Sequence, residues 1–279
     1  MVDNVDMLVP SQRGVVERSA VKDGATSVDQ VAVEEPLEIR VAGDAISITM
    51  RTPGDDQELA LGFLYAEGVI GSVDDVGSAA HCGRPSEEGF GNVIDVLPAP
   101  GIALAPERTF AARRGTLVSS ACGVCGRLSI EDLVARCTPL DDPSRMTAAR
   151  LARLCTAMRE KQHLFARTGG VHAAALFDMS GALLVLREDI GRHNAVDKVV
   201  GSLLLGRALP ARARVLAVSG RASFEIVQKA VVAGIPFVTS VSAASSLAID
   251  LASRMNLTLA AFARGETVNV YAAKERVVF

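Results

Sequence analysis

The chain has 279 residues, of which 49% are hydrophobic and 22% are charged. This composition is typical of a globular protein and excludes a wholly disordered, collagen-like or small disulfide-stabilised chain. The 29 basic and 32 acidic side chains give a net charge of −3, which disfavours broad electrostatic binding of nucleic acid.

No run of about 20 apolar residues is present, so the sequence predicts no membrane span. The N-terminus is acidic and lacks the basic-then-apolar profile of a signal peptide. We therefore expect a cytoplasmic protein with no membrane partner. The five cysteines, an odd number, argue against a disulfide framework.

Regular structure is predicted to begin near Val31. The residues before it show no sustained hydrophobic periodicity, so we expect residues 1–30 to form a poorly ordered lead-in. Apolar residues at alternate positions on either side of Gly43-Asp44 predict a β-hairpin over Val31–Arg51.

The elements that follow indicate a β-rich first half. Apolar residues at helical spacing, acids in the first turn and a glycine after the end predict a helix over Asp55–Ile70. Short strands are predicted at Val73–Ala80 and Asn92–Leu97. Because the turn-forming residues 141–144 then interrupt the chain, we expect residues 31–143 to form a β-rich N-terminal subdomain.

The second half, residues 144–279, is predicted to be an α/β subdomain. It begins with a long amphipathic helix over Thr147–Phe165, and strands and helices alternate after Gly170. Continuous apolar strands separated by helices indicate a sheet covered on both faces. The strands are predicted at His172–Phe177, Leu183–Leu186, Val215–Val218, Phe237–Val241, Leu257–Phe262 and Thr267–Tyr271. The helices between them are predicted at Asn194–Leu205, Ser223–Val232 and Ser245–Arg254.

Cys122 and Cys125 form a C-x-x-C motif in the N-terminal subdomain, next to glycines and before a predicted helix at Ser129–Arg136. A glycine-flanked loop makes both sulfurs accessible, and nearby arginines favour the nucleophilic thiolate. Half of a zinc site is a weaker alternative, since no second C-x-x-C exists and we expect no permanently bound metal. A thioredoxin-like redox role is also weaker, because no βα unit precedes the motif. Cys137 and Cys155 are expected to be buried packing thiols.

Three polar turns follow predicted strands of the second half. Arg192 and His193 stand at a strand-to-helix junction where a helix N-terminus favours phosphate. Arg221 lies in the turn 219–223, and a third turn spans residues 262–267. A sheet can bring such turns to one edge, where ligands usually bind, so we expect one anion pocket. The alternatives are a capped surface turn for the first, an ordinary βα turn for the second and a plain hairpin for the third.

A fourth polar turn, residues 168–172, ends in a histidine at the start of a predicted strand. His172 is expected to be structural, because a single histidine in that position more often packs than binds a ligand.

Several of these segments together resemble the FdhD/NarQ family of formate dehydrogenase accessory sulfurtransferases. The resemblance runs from about Glu35 through Tyr271. It is carried by ELALGFLYAEGVI (58–70), ACGVCG (121–126), GVHAAA (170–175), EDIGRHNAVDK (188–198), SGRASFEIVQK (219–229) and VSAASSLA (241–248). It implies a cytidine-deaminase-like layered α/β sheet with a β-rich N-terminal subdomain, and a homodimer.

The resemblance also implies a function and a site. Members of the family accept sulfur as a persulfide from a cysteine desulfurase and pass it to the molybdenum bis(molybdopterin guanine dinucleotide) cofactor before that cofactor enters formate dehydrogenase. Cys122 would carry the persulfide and Cys125 would assist. The cofactor-binding stretch of the family matches Phe262, Ala263, Arg264, Gly265, Glu266 and Thr267. Arg192, His193 and Arg221 would suit the phosphates of the cofactor.

Other functions remain open at this point. Zinc deaminases carry H-x-E and P-C-x-x-C, neither of which is present, so deamination is disfavoured even on a shared scaffold. A cofactor-binding chaperone without sulfur transfer is the main alternative to a sulfur carrier. A thiol–disulfide oxidoreductase is a third possibility.

Overall fold

The computed structural model describes residues 14–83, 90–104, 131 and 137–279. The helices in these ranges are α1 (Asp56–Ala66), α2 (Ala148–Glu160), α3 (His163–Thr168), α4 (Arg192–Leu205), α5 (Phe224–Val232) and α6 (Ser246–Arg254). The first seven strands are β1 (Val15–Lys22), β2 (Ala25–Ala32), β3 (Glu35–Val41), β4 (Asp44–Arg51), β5 (Val76–His81), β6 (Val93–Pro98) and β7 (Met146–Thr147). The remaining strands are β8 (His172–Asp178), β9 (Leu183–Asp189), β10 (Arg214–Val218), β11 (Phe237–Ser240), β12 (Thr258–Arg264), β13 (Thr267–Ala272) and β14 (Val277–Val278).

A six-stranded sheet organises the second half, with strand order β13-β12-β11-β10-β8-β9. Strands β10, β11 and β12 are parallel, whereas β8 is antiparallel to both of its neighbours. The carboxyl ends of β9, β10, β11 and β12 therefore lie at one edge of the sheet, together with the start of β8. The predicted mixed α/β fold is confirmed.

Helices cover both faces of this sheet. Helices α4, α5 and α6 bury apolar side chains such as Val199, Ile226 and Leu251 against one face. Helix α2 buries Leu151 and Met158 against the other face. Burial on both faces explains why these strands have nearly continuous apolar sequences instead of alternating ones.

A second, four-stranded sheet has the order β4-β3-β6-β5 and packs on α1. Helix α1 in turn crosses α4 at a point where both helices carry glycine. A Cβ atom added to Gly62 would overlap the backbone carbonyl of Asp197, and one added to Gly201 would overlap the carbonyl of Glu58. The two glycines let the backbones approach closely and so join the two halves of the fold.

The expectation of a poorly ordered lead-in is wrong for residues 15–30. Strands β1 and β2 pair there as an antiparallel hairpin, with Lys22 opposite Ala25. Asp23 and Gly24 form its two-residue turn and both have positive φ, a sequence that favours this turn type. No residue of either strand is fully buried, so the sequence there shows no sustained apolar periodicity. Residues 1–13 lie outside the described ranges.

Two further elements differ from the predicted ones. Residues 73–75, expected to begin a strand, form a 3-10 turn capped by Ser72. The long helix expected over Thr147–Phe165 is divided into α2 and α3 at Lys161-Gln162. The carboxylate of Glu188 accepts hydrogen bonds from two backbone N–H groups in the first turn of α3, so this tertiary contact stabilises a separate helix start.

The other elements predicted within the described ranges are present with boundaries shifted by a few residues. The hairpin β3-β4 turns at Ala42-Gly43, and the α/β alternation is present from β8 onwards. The division into subdomains at residue 143 stays a prediction. Of the helices in the described ranges, none has the length and apolar character needed to cross a membrane.

The helix crossing leads to a stability prediction. Gly201→Ala should lower the free energy of unfolding by about 2 kcal/mol or more, because the backbone of α1 must move, even though alanine favours a helix by roughly 1 kcal/mol over glycine. Denaturant titration measures this change. Gly71→Ala is the matched control, since a Cβ there meets only the Asp75 carboxylate at an ordinary 3.5 Å. Equal stability of the two variants would contradict the prediction.

Candidate functional site

The polar turns predicted to converge do meet at the carboxyl edge of the six-stranded sheet. The Ser219 hydroxyl, after β10, lies 3.3 Å from Nδ1 of His172 at the start of β8. The Ser240 hydroxyl, at the end of β11, donates to the carbonyl of Gly220 at 2.7 Å. The backbone N–H of Phe262 donates to the carbonyl of Ser242, which brings the third turn to the same edge.

Arg192 starts α4 beside the turn after β10. An added Cβ on Gly220 would lie 3.2 Å from Cδ of Arg192, so glycine provides the room for this side chain. Nε of Arg192 is buried and has no hydrogen-bond partner in the part of the chain that the structure describes. Burial and the positive charge of Arg221 both lower the pKa of Arg192. Two neighbouring guanidinium groups with an unused donor form a site suited to an anion.

His172 lies near Arg192 and is neutral. We refer to Arg192, Arg221 and His172 together as the cationic corner. Burial lowers the pKa of His172 below the usual value, and the positive charge of Arg192 lowers it further. A neutral imidazole beside Ser219 can donate or accept one hydrogen bond at each ring nitrogen. His172 was expected to be structural, but it lines a large cavity among the described residues.

This cavity has a volume of about 590 Å³ and lies between the sheet edge and the α2–α3 junction. Its size is within the range of small-molecule sites. Its walls are formed by Cys155, Thr156, Met158, Arg159, Gln162, Phe165, Gly169, Gly170, Val171, His172, Ser219, Val241, Ala263 and Arg264. The cavity therefore combines an apolar wall with polar strand ends.

The predicted cofactor stretch 262–267 contributes to the cavity in part. Ala263 and Arg264, at the end of β12, line it, and the stretch as a whole forms the β12-β13 hairpin. Glu266 instead pairs with the exposed Arg153 at 3.1 Å. Phe262 has a positive φ of 56° and remains 40% exposed.

His193 points away from the cavity. Its Nε2 lies 3.1 Å from the Ser223 hydroxyl and 3.0 Å from the Glu225 carboxylate, both at the start of α5. Of the predicted phosphate-binding residues, Arg192 and Arg221 are neighbours, whereas the imidazole of His193 is engaged with α5.

The α2–α3 wall was missed by sequence analysis. The guanidinium carbon of Arg159 lies 3.8 Å above the ring of Phe165, and both residues line the cavity. The amphipathic pattern predicted one unbroken helix there. The polar Gln162, at a position that turns out to be buried, was a weak signal against it.

Three of the five cysteines, Cys82, Cys137 and Cys155, lie within the described ranges. Cys122, Cys125 and the helix predicted after them lie outside the described ranges. Cys155 is 3% exposed, and burial raises the pKa of its thiol to about 11. It lines the cavity as well as packing under the sheet. Such a thiol is protonated at neutral pH and is a poor nucleophile.

A smaller cavity of about 340 Å³ lies beside the four-stranded sheet. The buried Arg51 guanidinium binds both carboxylate oxygens of Asp56 at 3.0 Å, and His81 contacts the same carboxylate. Burial opposes ionisation of Asp56, but the hydrogen bonds from His81 and Arg51 outweigh it and lower the pKa of Asp56. These groups satisfy one another, which indicates a structural network.

Within the described ranges, no group of three or more histidine, cysteine, aspartate or glutamate side chains is arranged to hold a metal ion.

A model of the FdhD/NarQ family matches residues 32–278. The chain belongs to the FdhD/NarQ family. The match spans the polar turns, the cavity and the C-x-x-C motif.

Relatives in this family are similar over nearly the whole chain. A protein from Anaeromyxobacter dehalogenans (strain 2CP-1) is 55% identical, covering 94% of this chain and 93% of the relative. Proteins from Streptomyces avermitilis and Mycobacterium tuberculosis are 49% and 48% identical, covering 92% and 90% of this chain and 93% of each relative. All three are named "Sulfur carrier protein FdhD".

A solved structure has the same fold. The crystal structure of a protein described as a formate dehydrogenase accessory protein from Desulfotalea psychrophila superposes with a TM-score of 0.71. The two chains are 29% identical, and the match covers 95% of this chain and 98% of the other. This chain and the Desulfotalea psychrophila protein therefore share the layered α/β architecture.

The environment of Cys155 leads to a reactivity prediction for this family member. In the native protein near neutral pH, Cys155 should resist alkylation by iodoacetamide, since roughly one thiol in ten thousand is ionised at a pKa four units higher. Peptide mapping by mass spectrometry measures the labelled fraction at each cysteine. Denatured protein, in which every cysteine should react, is the control. Rapid labelling of native Cys155 would contradict the burial seen here.

Proposed function

We propose that this chain is a sulfur carrier for formate dehydrogenase maturation. It accepts persulfide sulfur from a cysteine desulfurase and passes it to the molybdenum bis(molybdopterin guanine dinucleotide) cofactor before insertion. The observation that carries the proposal is the 48–55% identity, over at least nine-tenths of the chain, to relatives named as sulfur carriers. The cationic cavity at the sheet edge supports the part concerning the cofactor.

The proposed sulfur transfer uses the two C-x-x-C thiols. The Cys122 thiolate attacks the outer sulfur of the desulfurase persulfide, the sulfur–sulfur bond breaks, and the desulfurase cysteine leaves as a thiolate. This exchange involves no net oxidation. Attack by the Cys125 thiolate on the inner sulfur then releases hydrosulfide to the cofactor and leaves a Cys122–Cys125 disulfide. A dithiol reductant restores both thiols for the next cycle.

The cofactor is the substrate in this scheme, and its nucleotide phosphates fit the cationic corner. Arg192 offers an unused buried donor, Arg221 adds a second positive charge, and the ring of His172 adds a hydrogen bond. The adjacent cavity, with a volume of about 590 Å³, is large enough for the rest of a nucleotide. Residues Ala263 and Arg264 of the predicted cofactor stretch belong to the same walls.

The proposal extends to partners. The chain would act as a homodimer. It would bind a cysteine desulfurase when it accepts sulfur and formate dehydrogenase when the cofactor is delivered. A cofactor-binding chaperone that needs no thiol is the competing function, and the variants below separate the two.

The first test removes the sulfur-bearing thiol. Wild-type protein incubated with a cysteine desulfurase and cysteine should gain the mass of one sulfur atom on Cys122, measured by intact-protein and peptide mass spectrometry. Cys122→Ala should fail to gain it and should fail to activate a formate dehydrogenase, yet bind guanosine diphosphate normally.

Cys82→Ala is the matched control and should behave as wild type, because Cys82 follows β5 of the four-stranded sheet and does not line the large cavity. Full activation of the dehydrogenase by Cys122→Ala would favour the chaperone. Sulfur found on Cys137 or Cys155 would overturn the assignment of the thiol.

The second test concerns the anion-binding corner. Arg192→Ala should weaken binding of guanosine diphosphate about ten- to a hundredfold in calorimetry, since a lost charge-assisted hydrogen bond typically costs roughly 1.5 to 3 kcal/mol. Persulfide loading of Cys122 should be unchanged. Arg207→Ala, which removes an exposed arginine paired with Asp74, is the control and should bind as wild type. Unchanged affinity in Arg192→Ala would remove this residue from the site.

A further inference from the structure

Gln162 is a cavity-lining residue with a buried side-chain amide nitrogen that is unpaired in the described part of the chain. It lies at the junction of α2 and α3, is 3% exposed and lines the large cavity. Buried polar groups are nearly always paired, so an amide in a cavity wall that is unpaired among the described residues is suited to a hydrogen-bond partner supplied by a ligand.

The local structure gives this amide no other task. Gln162 stands at the N-cap position of α3, but its side chain makes no capping hydrogen bond. The backbone N–H groups of Leu164 and Phe165 donate instead to the two carboxylate oxygens of Glu188, each at 2.9 Å. Glu188 therefore performs the role that a polar N-cap residue usually has. A methionine would fill the same volume without leaving a donor unpaired.

The surroundings of the amide suit a flat heterocycle. Met158, Phe165 and Val171 supply apolar surface in the same cavity, and the guanidinium of Arg159 stacks on Phe165. A primary amide offers a donor and an acceptor side by side, the pattern that pairs with the edge of a nucleobase. His172, at the start of β8, lines the same cavity, and Arg192, at the start of α4, lies beside it next to Gly220. The apolar surface that suits a base therefore adjoins the groups that suit phosphate.

We infer that Gln162 hydrogen-bonds the base edge of the guanosine part of the cofactor and so determines affinity for nucleotide over bare phosphate. This inference rests on the proposed function, because it takes the cofactor nucleotide as the ligand of the cavity. Rotation about the terminal torsion of Gln162, which is a soft one, turns the amide toward the base. The carbonyl oxygen accepts from a ring N–H while the amide nitrogen donates to the exocyclic oxygen.

The experiment compares two ligands on the full-length protein. Gln162→Met should weaken binding of guanosine diphosphate about three- to tenfold in calorimetry, as expected for one or two neutral hydrogen bonds. It should leave the affinity for inorganic pyrophosphate within about twofold of wild type, because pyrophosphate has no base. Arg192→Ala should weaken both ligands. Gln57→Met, which changes a glutamine on α1 outside the cavity, is the matched control.

Thermal unfolding distinguishes ligand recognition from a structural role for Gln162, because the two roles predict opposite changes in the melting temperature of the ligand-free variant. Without ligand, Gln162→Met should melt at the wild-type temperature or above it, because the variant removes an unpaired buried donor. With guanosine diphosphate, its melting temperature should rise less than that of wild type. A structural role for Gln162 instead predicts a lower melting temperature without ligand.

The outcomes separate this inference from the proposed function. If wild-type protein binds neither ligand, the proposed cofactor site fails and the inference fails with it. If wild type binds both and Gln162→Met titrates guanosine diphosphate as wild type does, only the assignment of Gln162 is wrong. Equal losses for both ligands in Gln162→Met would likewise overturn it, since the base contact would not be the cause.

Discussion

The buried carboxylate of Asp189 is the interaction on which the arrangement of the site depends. This side chain is fully buried at the end of β9, where it pairs with the Lys198 ammonium at 2.7 Å and accepts from the Asn194 amide. It also accepts from the backbone N–H groups of Thr52 and Gly191. A buried charge is tolerated only when paired and hydrogen-bonded in this way. The network fixes the start of α4 against both β9 and the end of β4.

That constraint explains where the cationic corner comes from. Because Asp189 holds the turn before α4, Arg192 is directed beside Gly220. There burial and the charge of Arg221 lower its pKa, and its Nε has no hydrogen-bond partner among the described residues. The close crossing of α4 with α1 holds the same helix from its other side through Gly62. A site for an anionic ligand thus rests on rigid elements, with its recognition groups placed by packing rather than by loop flexibility.

The sequence predicted the polar turns at the carboxyl edge of the six-stranded sheet, but it did not predict the α2–α3 wall on the opposite side of the cavity. The strands of the second half are continuous apolar runs, so their order with the helices, and the turns that follow them, could be predicted from the hydrophobic pattern along the chain. Arg192 and Arg221 stood in such turns. The hairpin β1-β2 was missed because none of its strand residues is fully buried, which left Asp23-Gly24 as its main signal. Gln162 could not be found, since its unpaired state depends on a distant residue, Glu188, that caps α3.

The central claim is that one cavity, between the sheet edge and the α2–α3 corner, holds the nucleotide end of the cofactor. A crystal structure of the protein with guanosine diphosphate tests it most directly. The account predicts phosphates beside Arg192 and Gly220, with the base against Gln162 and Phe165. Nucleotide bound instead in the smaller cavity beside Arg51, with the larger cavity empty, would contradict it.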